Sequence, residues 1–437
     1  MKRAFFALLV SLICASASAQ QIYRSEFSVF DLREGALKND HSRTERHIVF
    51  APKKEGEVVN DIEVVSQTVE LPTAWSDFNI YLHVQNTLNA YHLVVNDQMV
   101  ASIEDPQTPT DFLLSPYLRQ GSNEILLLIH QSKYAELNKG SQSGSSERFK
   151  GSYLFAQHRK HIYDYDARIV PNSNGKGFSL ELDIMVRNDF NFEEMVLVGY
   201  DIYSPEEKLL DYAVREFSVP GRSIDTLQVR TNLGEDSRFA WSNANPKLYR
   251  LTLYTKRDGK PREYISFHIG AGRTTFANGK ILRNGKPIAI KSAQYSVTGS
   301  YSDTQTQIKA LRAKGINTLL PKNPQPEWFY DICDALGIYV IERANINPVD
   351  EAQNRKVGGT PSNNPALVEE YLARVKAMYY RTRNHSCIIA YALGGDQAGN
   401  GYNMYKAYQW LKGVEKERAV ICTSADGEWN TDLDKIE

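Results

Sequence analysis

From Glu26 to about Gln157, apolar and polar residues alternate in short runs, FNIYLHVQN, AYHLVVNDQMVASI and NEILLLIHQ, separated by clusters of Pro, Asn, Asp and Gly. A period of two is the signature of strands with one buried face, so this stretch predicts an all-β sandwich. Asn96-Asp97, between two apolar runs, predicts a hairpin turn. The polar stretch LNKGSQSGSSERFKGS predicts a long loop near the end of this domain. A second β-rich block runs from His161 to Arg273, with FSLELDIMVRN, EMVLVGYDIYS, LYRLTLYTK and EYISFHIG as strands. Its length of roughly 110 residues suits a small immunoglobulin-like sandwich.

After Arg273 the period changes. PIAIKSAQYS reads as a strand, DTQTQIKALRAKG as an amphipathic helix and INTLLP as a strand; PEWFYDICDALG then leads to IYVIERANI, NPALVEEYLARVKAMYYRTRN to CIIAYALGG, and YNMYKAYQWLKGVEKE to RAVICTSAD. Short apolar strands alternating with helices imply a parallel sheet, most simply part of a (β/α) barrel, with about five strands countable before Glu437. Gly270–Gly272 reads as a turn into this domain, since it lacks the strand-to-helix setting of a phosphate loop.

Composition narrows the class. The 437 residues are 42% hydrophobic with a formal net charge of -1, which favours neither nucleic-acid binding nor disorder. Lys2 and Arg3, the apolar run from Ala4 to Ala15 and Ala17-Ser18-Ala19 have the layout of a cleaved secretory leader over residues 1–19, so a periplasmic or secreted location is expected. No later stretch is long and apolar enough for a transmembrane segment. Cys333, Cys387 and Cys422 lie in apolar surroundings without metal-binding spacing and read as buried thiols, with one disulfide as the alternative. His158 and His161 are too few to argue for a metal.

Several phrases carry a resemblance. VVNDQMVASI and TPTDFLLSPYLRQGSNEILLLI in the first domain, FAWSNANPKLYRLTL and FHIGAGR in the second, and NGKILRNGKPIAIKS, FYDICDALGIYVIERANI and RTRNHSCIIAYALGGD in the third resemble the glycoside hydrolases of family 2, the β-galactosidase and β-glucuronidase group. After the leader over 1–19, the resemblance implies a galactose-binding-like jelly-roll sandwich over 20–160, an immunoglobulin-like sandwich over 161–273 and a partial TIM (β/α) barrel over 274–437. In such a barrel, chemistry sits at the C-terminal ends of the strands.

A retaining glycosidase needs an acid and a nucleophilic carboxylate about 5 Å apart. Where the resemblance implies Leu-Gly-Asn-Glu after the fourth strand, with Glu as acid and Asn holding the sugar 2-hydroxyl, this chain has Leu393, Gly394, Gly395 and Asp396. Asp396 keeps a carboxylate on a shorter side chain; it reads either as a degenerate acid or as a solvated loop carboxylate. The nucleophile expected at a seventh strand lies beyond Glu437. The family's Asn-Arg-His after strand one is matched by Gln294, Tyr295 and Ser296, and its Arg and His after strand two by Leu320 and Asn323. After strand three stand Glu342, Arg343, Ala344 and Asn345, with Asn347 and Val349 where some members bind magnesium.

Gln294, Tyr295, Asn323, Glu342, Arg343, Asn345 and Asn347 are therefore the candidate sugar contacts, and no cofactor or metal is expected. Glu342 beside Arg343 reads as a local ion pair or a ligand clamp, His385 as a structural hydrogen-bonding residue, and Tyr295 or Tyr402 as exposed rings able to stack on sugar. Five parallel strands leave two sheet edges. The chain is then a fragment of a longer product, or its sheet packs on its own β domains, or a protein partner or second copy covers the opening; the polar ending TSADGEWNTDLDKIE does not read as an interrupted core strand. The expected function is that of a family homologue that has lost catalysis and binds an oligosaccharide or scaffolds an assembly. The alternatives are a weak glycosidase using Asp396 with a recruited second acid, and a piece of an active enzyme.

Overall fold

The computed structural model describes residues 21–38, 46–52, 57–139, 148–348, 356–425 and 427–433. The leader, most of the Ser/Gly-rich stretch and Val349 lie outside these residues. The chain divides into two compact units, one drawn from residues 47–135 and 147–157 with the N-terminal 22, the other from 23–46, 136–146 and 158–437.

In the first unit, the strands His47–Val49, Tyr153–His158, Phe78–Val84 and Thr110–Leu113 form one sheet, in that order. Glu57–Val59, Ile62–Glu70, Ser122–His130, Ala90–Val95 and Gln98–Ile103 form the other. Leu82 and Leu154 from the first sheet meet Val65, Leu93, Ile125 and Leu127 from the second in one apolar core. The two-residue period thus becomes a sandwich, because each strand must bury one face. Asn96 and Asp97 turn the final hairpin with φ of 46° and 65°, the paired left-handed geometry that matches strand twist.

The second unit begins with another sandwich. Lys160–Pro171, Phe178–Asn188 and Ser223–Asn232 face a sheet ordered Leu209–Val219, Glu194–Tyr203, Leu248–Arg257 and Lys260–Gly270. Phe178–Asn188 alternates buried and half-buried along its whole length, and Leu180, Leu182, Ile184 and Val186 meet Leu251 and Leu253. Residues 23–38 lie against this unit, where Phe30 bridges Tyr264 and Glu26 pairs with Arg381 at 2.7 Å.

The chain then enters five parallel strands in sequential order: β1 (Ser292–Tyr295), β2 (Thr318–Pro321), β3 (Tyr339–Arg343), β4 (Ile388–Ala392) and β5 (Ala419–Ile421). Helices α1 (Tyr301–Ala313), α2 (Glu327–Leu336), α3 (Val368–Thr382) and α4 (Tyr402–Val414) connect them. Ser300 and Asp303 close a capping box at the start of α1. Gly337, at φ 66°, stops α2 and allows the Ile338 amide to reach the Cys333 carbonyl at 2.9 Å. β3 and β4 are buried throughout, as strands covered on both faces require.

Residues kept from the family wording hold the sandwich and the strands together. Trp241 is fully buried, its indole N–H donating to the Asp334 carbonyl at 2.9 Å. Arg283 donates to the carbonyls of Trp241 and Ala271, and Arg383 to Asp164 and the Tyr165 carbonyl.

Beyond β5, residues 432–433 make a short backbone pairing with its edge. Leu433 forms a parallel bridge with Ile421, and the Asp432 amide donates to the Val420 carbonyl at 2.8 Å. The side chain of Asp432 also accepts from the Val420 amide and from Lys412. A polar segment can pair this way because a ladder needs backbone groups, not apolar side chains. Cys333, Cys387 and Cys422 are buried free thiols. Among the described residues, no helix is long and apolar enough to cross a membrane.

Candidate active site at the strand ends

After β1, the first two candidates separate. Gln294 is exposed, but Tyr295 is buried: its hydroxyl donates to Gln307 of α1 at 2.9 Å and its ring stacks on Phe329 of α2 at 5.6 Å. The expectation that Tyr295 offers a free ring is corrected, because it points into the helix layer. Its neighbour Ser296 instead reaches across, its hydroxyl donating to Asn323 Oδ1 at 3.1 Å. Gln325 completes this connection, accepting from the Val297 amide at 2.7 Å and donating to the Asn323 carbonyl. Asn323 is buried in this network, which ties the ends of β1 and β2 together.

After β3, Glu342 and Arg343 point to opposite faces, as successive strand residues must. Glu342 is 1% exposed, among groups of α2 and α3: Tyr330, Arg381 and, beyond them, His385. Burial pushes its carboxyl up to about 7, against the opposing pull of Tyr330, Arg381 and His385. Its carboxyl lies beside the Tyr330 hydroxyl. The expected Glu342–Arg343 pair does not form.

Arg343 pairs instead with Asp396, Nη2 to Oδ1 at 3.1 Å, across the ends of β3 and β4. The arginine side chain is 8% exposed and the aspartate 58%. Asn347 donates to Asn345 Oδ1 at 3.1 Å, and both are buried. The Asn345 carbonyl accepts from Arg374 Nη1 at 2.5 Å, and the Arg374 Nε contacts Glu370 at 2.7 Å.

The substitution at Gly395 has a local cause. Its amide donates to the Ile346 carbonyl at 2.8 Å, and a Cβ placed there would stand 2.6 Å from Asn347 Oδ1. Asn347 thus occupies the volume that a side chain at 395 would need, and the two strand-end segments close on each other. The loop after β4 is also held by the loop after β5, where Ser424 donates to the Asp396 carbonyl at 3.1 Å and accepts from the Gly399 amide. Sequence reasoning missed Ser424 and Gln325, which lie outside the family phrases; a polar residue within two or three positions of a strand end was the available signal.

The opposite ends of the strands hold a separate cluster. His385 Nδ1 meets Asp334 Oδ2 at 2.9 Å, and Asp334 Oδ1 accepts from the Cys387 amide. Burial alone would push the imidazole down, but the Asp334 hydrogen bond and the charges of Asp334, Asp331 and Glu327 hold it up to about 9. Asp331, Asp334 and His385 present atoms within 4.8 Å of one another, yet a protonated imidazole is a poor metal ligand. In the second sandwich, His161 Nδ1 is engaged by the His158 carbonyl at 2.7 Å.

Residues 277–437, which hold all these strand ends, match the family description "Glycosyl hydrolases family 2, TIM barrel domain". This part of the chain is a family 2 barrel domain. A β-galactosidase of Priestia megaterium is 27% identical over 389 residues, covering 85% of this chain and 37% of that protein. One of Vibrio cholerae is 25% identical over 346 residues, covering 76% and 33%. The chain thus spans about a third of the length of these β-galactosidases.

Among solved structures, Bacteroides uniformis β-glucuronidase superposes with a TM-score of 0.67 at 15% identity, over 85% of this chain and 48% of that one. A family 2 member from Bacteroides cellulosilyticus gives 0.65 at 16%, over 83% and 50%. At such identities the likeness is one of fold. Function within family 2 rests on the strand ends themselves.

Proposed function

We propose that this family 2 chain binds carbohydrate at its strand ends without hydrolysing it. The observation that carries the reading is the Arg343–Asp396 ion pair. A general acid must present a proton to the leaving oxygen, within hydrogen-bond reach. Asp396 Oδ1 accepts from a guanidinium, and the carboxylate stands on a side chain one methylene shorter than the glutamate of the family pattern. Gly395, filled in by Asn347, brings no amide to a sugar 2-hydroxyl. Glu342 holds a raised carboxyl, but it lies in the helix layer, where no glycosidic oxygen can reach it. What remains at the strand ends is Gln294, the Arg343–Asp396 pair and a braced ring of amides, which suits hydroxyl recognition better than proton transfer.

The reading includes export through the Lys2–Ala19 leader to the periplasm or medium, where glycans are met. Cell fractionation tests that part: the mature protein is expected outside the cytoplasm, with an N-terminus near Gln20.

The test of function uses the purified full chain on 4-nitrophenyl β-galactoside and β-glucuronide, together with a glycan-binding screen. Binding without turnover is expected. Turnover that disappears in Asp396→Ala overturns the reading in favour of an atypical glycosidase, and a chain that captures no glycan overturns the binding half, leaving assembly with a protein partner as the function to pursue.

A further inference from the structure

We infer that the strand Leu209–Val219 joins the same strand of a second copy of this chain, antiparallel about Ala213, with Asp211 of each copy meeting Arg215 of the other. The pairing concerns the second sandwich alone and does not depend on what the barrel's strand ends bind.

This strand lies at the edge of its four-stranded sheet. One side is laddered to Glu194–Tyr203, and among the described residues no strand pairs with the other side. An edge offers a row of backbone donors and acceptors to any strand that fits it. From Asp211 to Val219 the ladder runs without a shift in register, and the one irregularity, between Ile202 and Tyr203 of the neighbour, lies before that stretch. Bulges twist an edge away from further pairing, so the stretch beyond this one is left open to a partner.

Alternation gives the strand two faces. Ala213 and Phe217 pack against the sandwich core, and Asp211 and Arg215 share their side, opposite the buried Ile202 and Val198. Tyr212 and Val214 point the other way and are 67% and 41% exposed; on the neighbouring strand Met195, opposite Ser218, is exposed as well. The edge thus carries uncovered β-forming side chains beside its unpaired backbone.

The charges select the occupant. Arg215 is exposed and joins no ion pair among the described residues. Asp211 Oδ2 accepts from the Tyr200 hydroxyl at 2.7 Å and has no cationic partner among them either. The two stand about 13 Å apart along one strand and do not pair within a copy. In an antiparallel pair centred on Ala213, position 211 of each copy lies opposite 215 of the other, so both charges are answered, and answered twice. Tyr212 then stands opposite Val214, an aromatic and a β-branched residue that cover each other across the strands. Registers centred on Tyr212 or Val214 set both charges against uncharged residues, and one centred on Arg215 opposes like charges. Self-complementarity of this kind is what a two-fold interface requires, and it favours a second copy over an unrelated chain.

Sedimentation equilibrium of the full chain tests the pairing. The wild type is expected to form a dimer. Arg215→Asp and Asp211→Arg are each expected to raise its dissociation constant about tenfold or more, because like charges then face each other at both ends of the pair. An equimolar mixture of the two variants is expected to restore the dimer, since every altered side chain then meets its opposite, and restoration shows that both variants fold. A wild type that remains monomeric at concentrations on the order of 100 μM overturns the inference. So does a dimer that neither variant weakens, which would lie on another surface, and so does a mixture of variants, each melting with the wild type, that fails to dimerise. If either variant melts well below the wild type, hydrogen exchange on the unaltered protein decides: amides within 211–217 gain protection as its concentration rises, and protection independent of concentration overturns the pairing.

Discussion

The Arg343 guanidinium meets the Asp396 carboxylate at 3.1 Å across neighbouring strand ends, 53 residues apart in sequence. On the resemblance given above, a shorter acid stands at 396 where the family pattern has its glutamate. The two side chains make an ion pair. Because the aspartate is mostly exposed, solvent screens the interaction. Asp396→Asn and Arg343→Met are expected to cost about 1 kcal/mol each, with the double variant losing less than the sum by about half that amount. A urea-denaturation double-mutant cycle checks this, and additive losses would mean that the pair is not coupled.

Gly395 and Asn347 compete for one volume. Restoring the family residue with Gly395→Asn is expected to destabilise the second unit by roughly 1–2 kcal/mol, and adding Asn347→Ala to recover most of that loss. If thermal scans show Gly395→Asn alone melting with the wild type, the closeness of the two segments has been misjudged.

Glu342 ties stability to pH. Its carboxyl, near 7 in the fold, stands above its ordinary 4.5. Below the lower value both folded and unfolded chains hold the proton; between the two the unfolded chain ionises first, and above about 7 the folded state carries the whole cost of a buried charge. Glu342→Gln should therefore be more stable than wild type at pH 8, by up to about 3 kcal/mol, and indistinguishable near pH 4. Melting curves across that range decide it; an advantage that grows towards acid pH would reverse the sign.

His385 acts in the opposite sense. Its imidazole is raised from 6.5 to about 9 in the fold, so its contribution is fully present below 6.5 and is lost as the pH rises through 9. His385→Ala is expected to lose the most stability at pH 6, with a narrowing deficit by pH 10. A deficit that is constant with pH would indicate packing alone, without the charged pair to Asp334.

Much of the fold was legible because its signals are local. The period-two runs placed strands such as Phe178–Asn188, and the Asn96-Asp97 turn joined the strands on either side of it. The change to alternating helices and apolar runs announced the parallel sheet, and Pro326 and Gly337 bounded α2. Asp396, Arg343 and the amides at 323, 345 and 347 were legible as strand-end residues.

Their contacts were less legible. Tyr295 and Gln294 differ by one position, yet one is buried in the helix layer and the other exposed. Glu342 and Arg343 are adjacent, and their separation onto two faces undid the expected pair. Short parallel strands with both faces covered carry no alternation in the sequence that says which face meets helices and which faces inward. The pairing of residues 432–433 with the β5 edge was not legible either, since it is made by backbone groups that every sequence possesses.

The amino-acid sequence by itself established the order of elements, the change from sandwich to parallel sheet and the loss of the family's acid-bearing wording, because period, turn residues and motif spacing act over a few neighbouring residues. Tertiary packing assigned Arg343 to Asp396, Asn347 to the space beside Gly395, and Ser424 to the loop beyond β4. Those assignments depend on residues brought together from distant positions, where register and side-chain volume, not local pattern, determine what touches what.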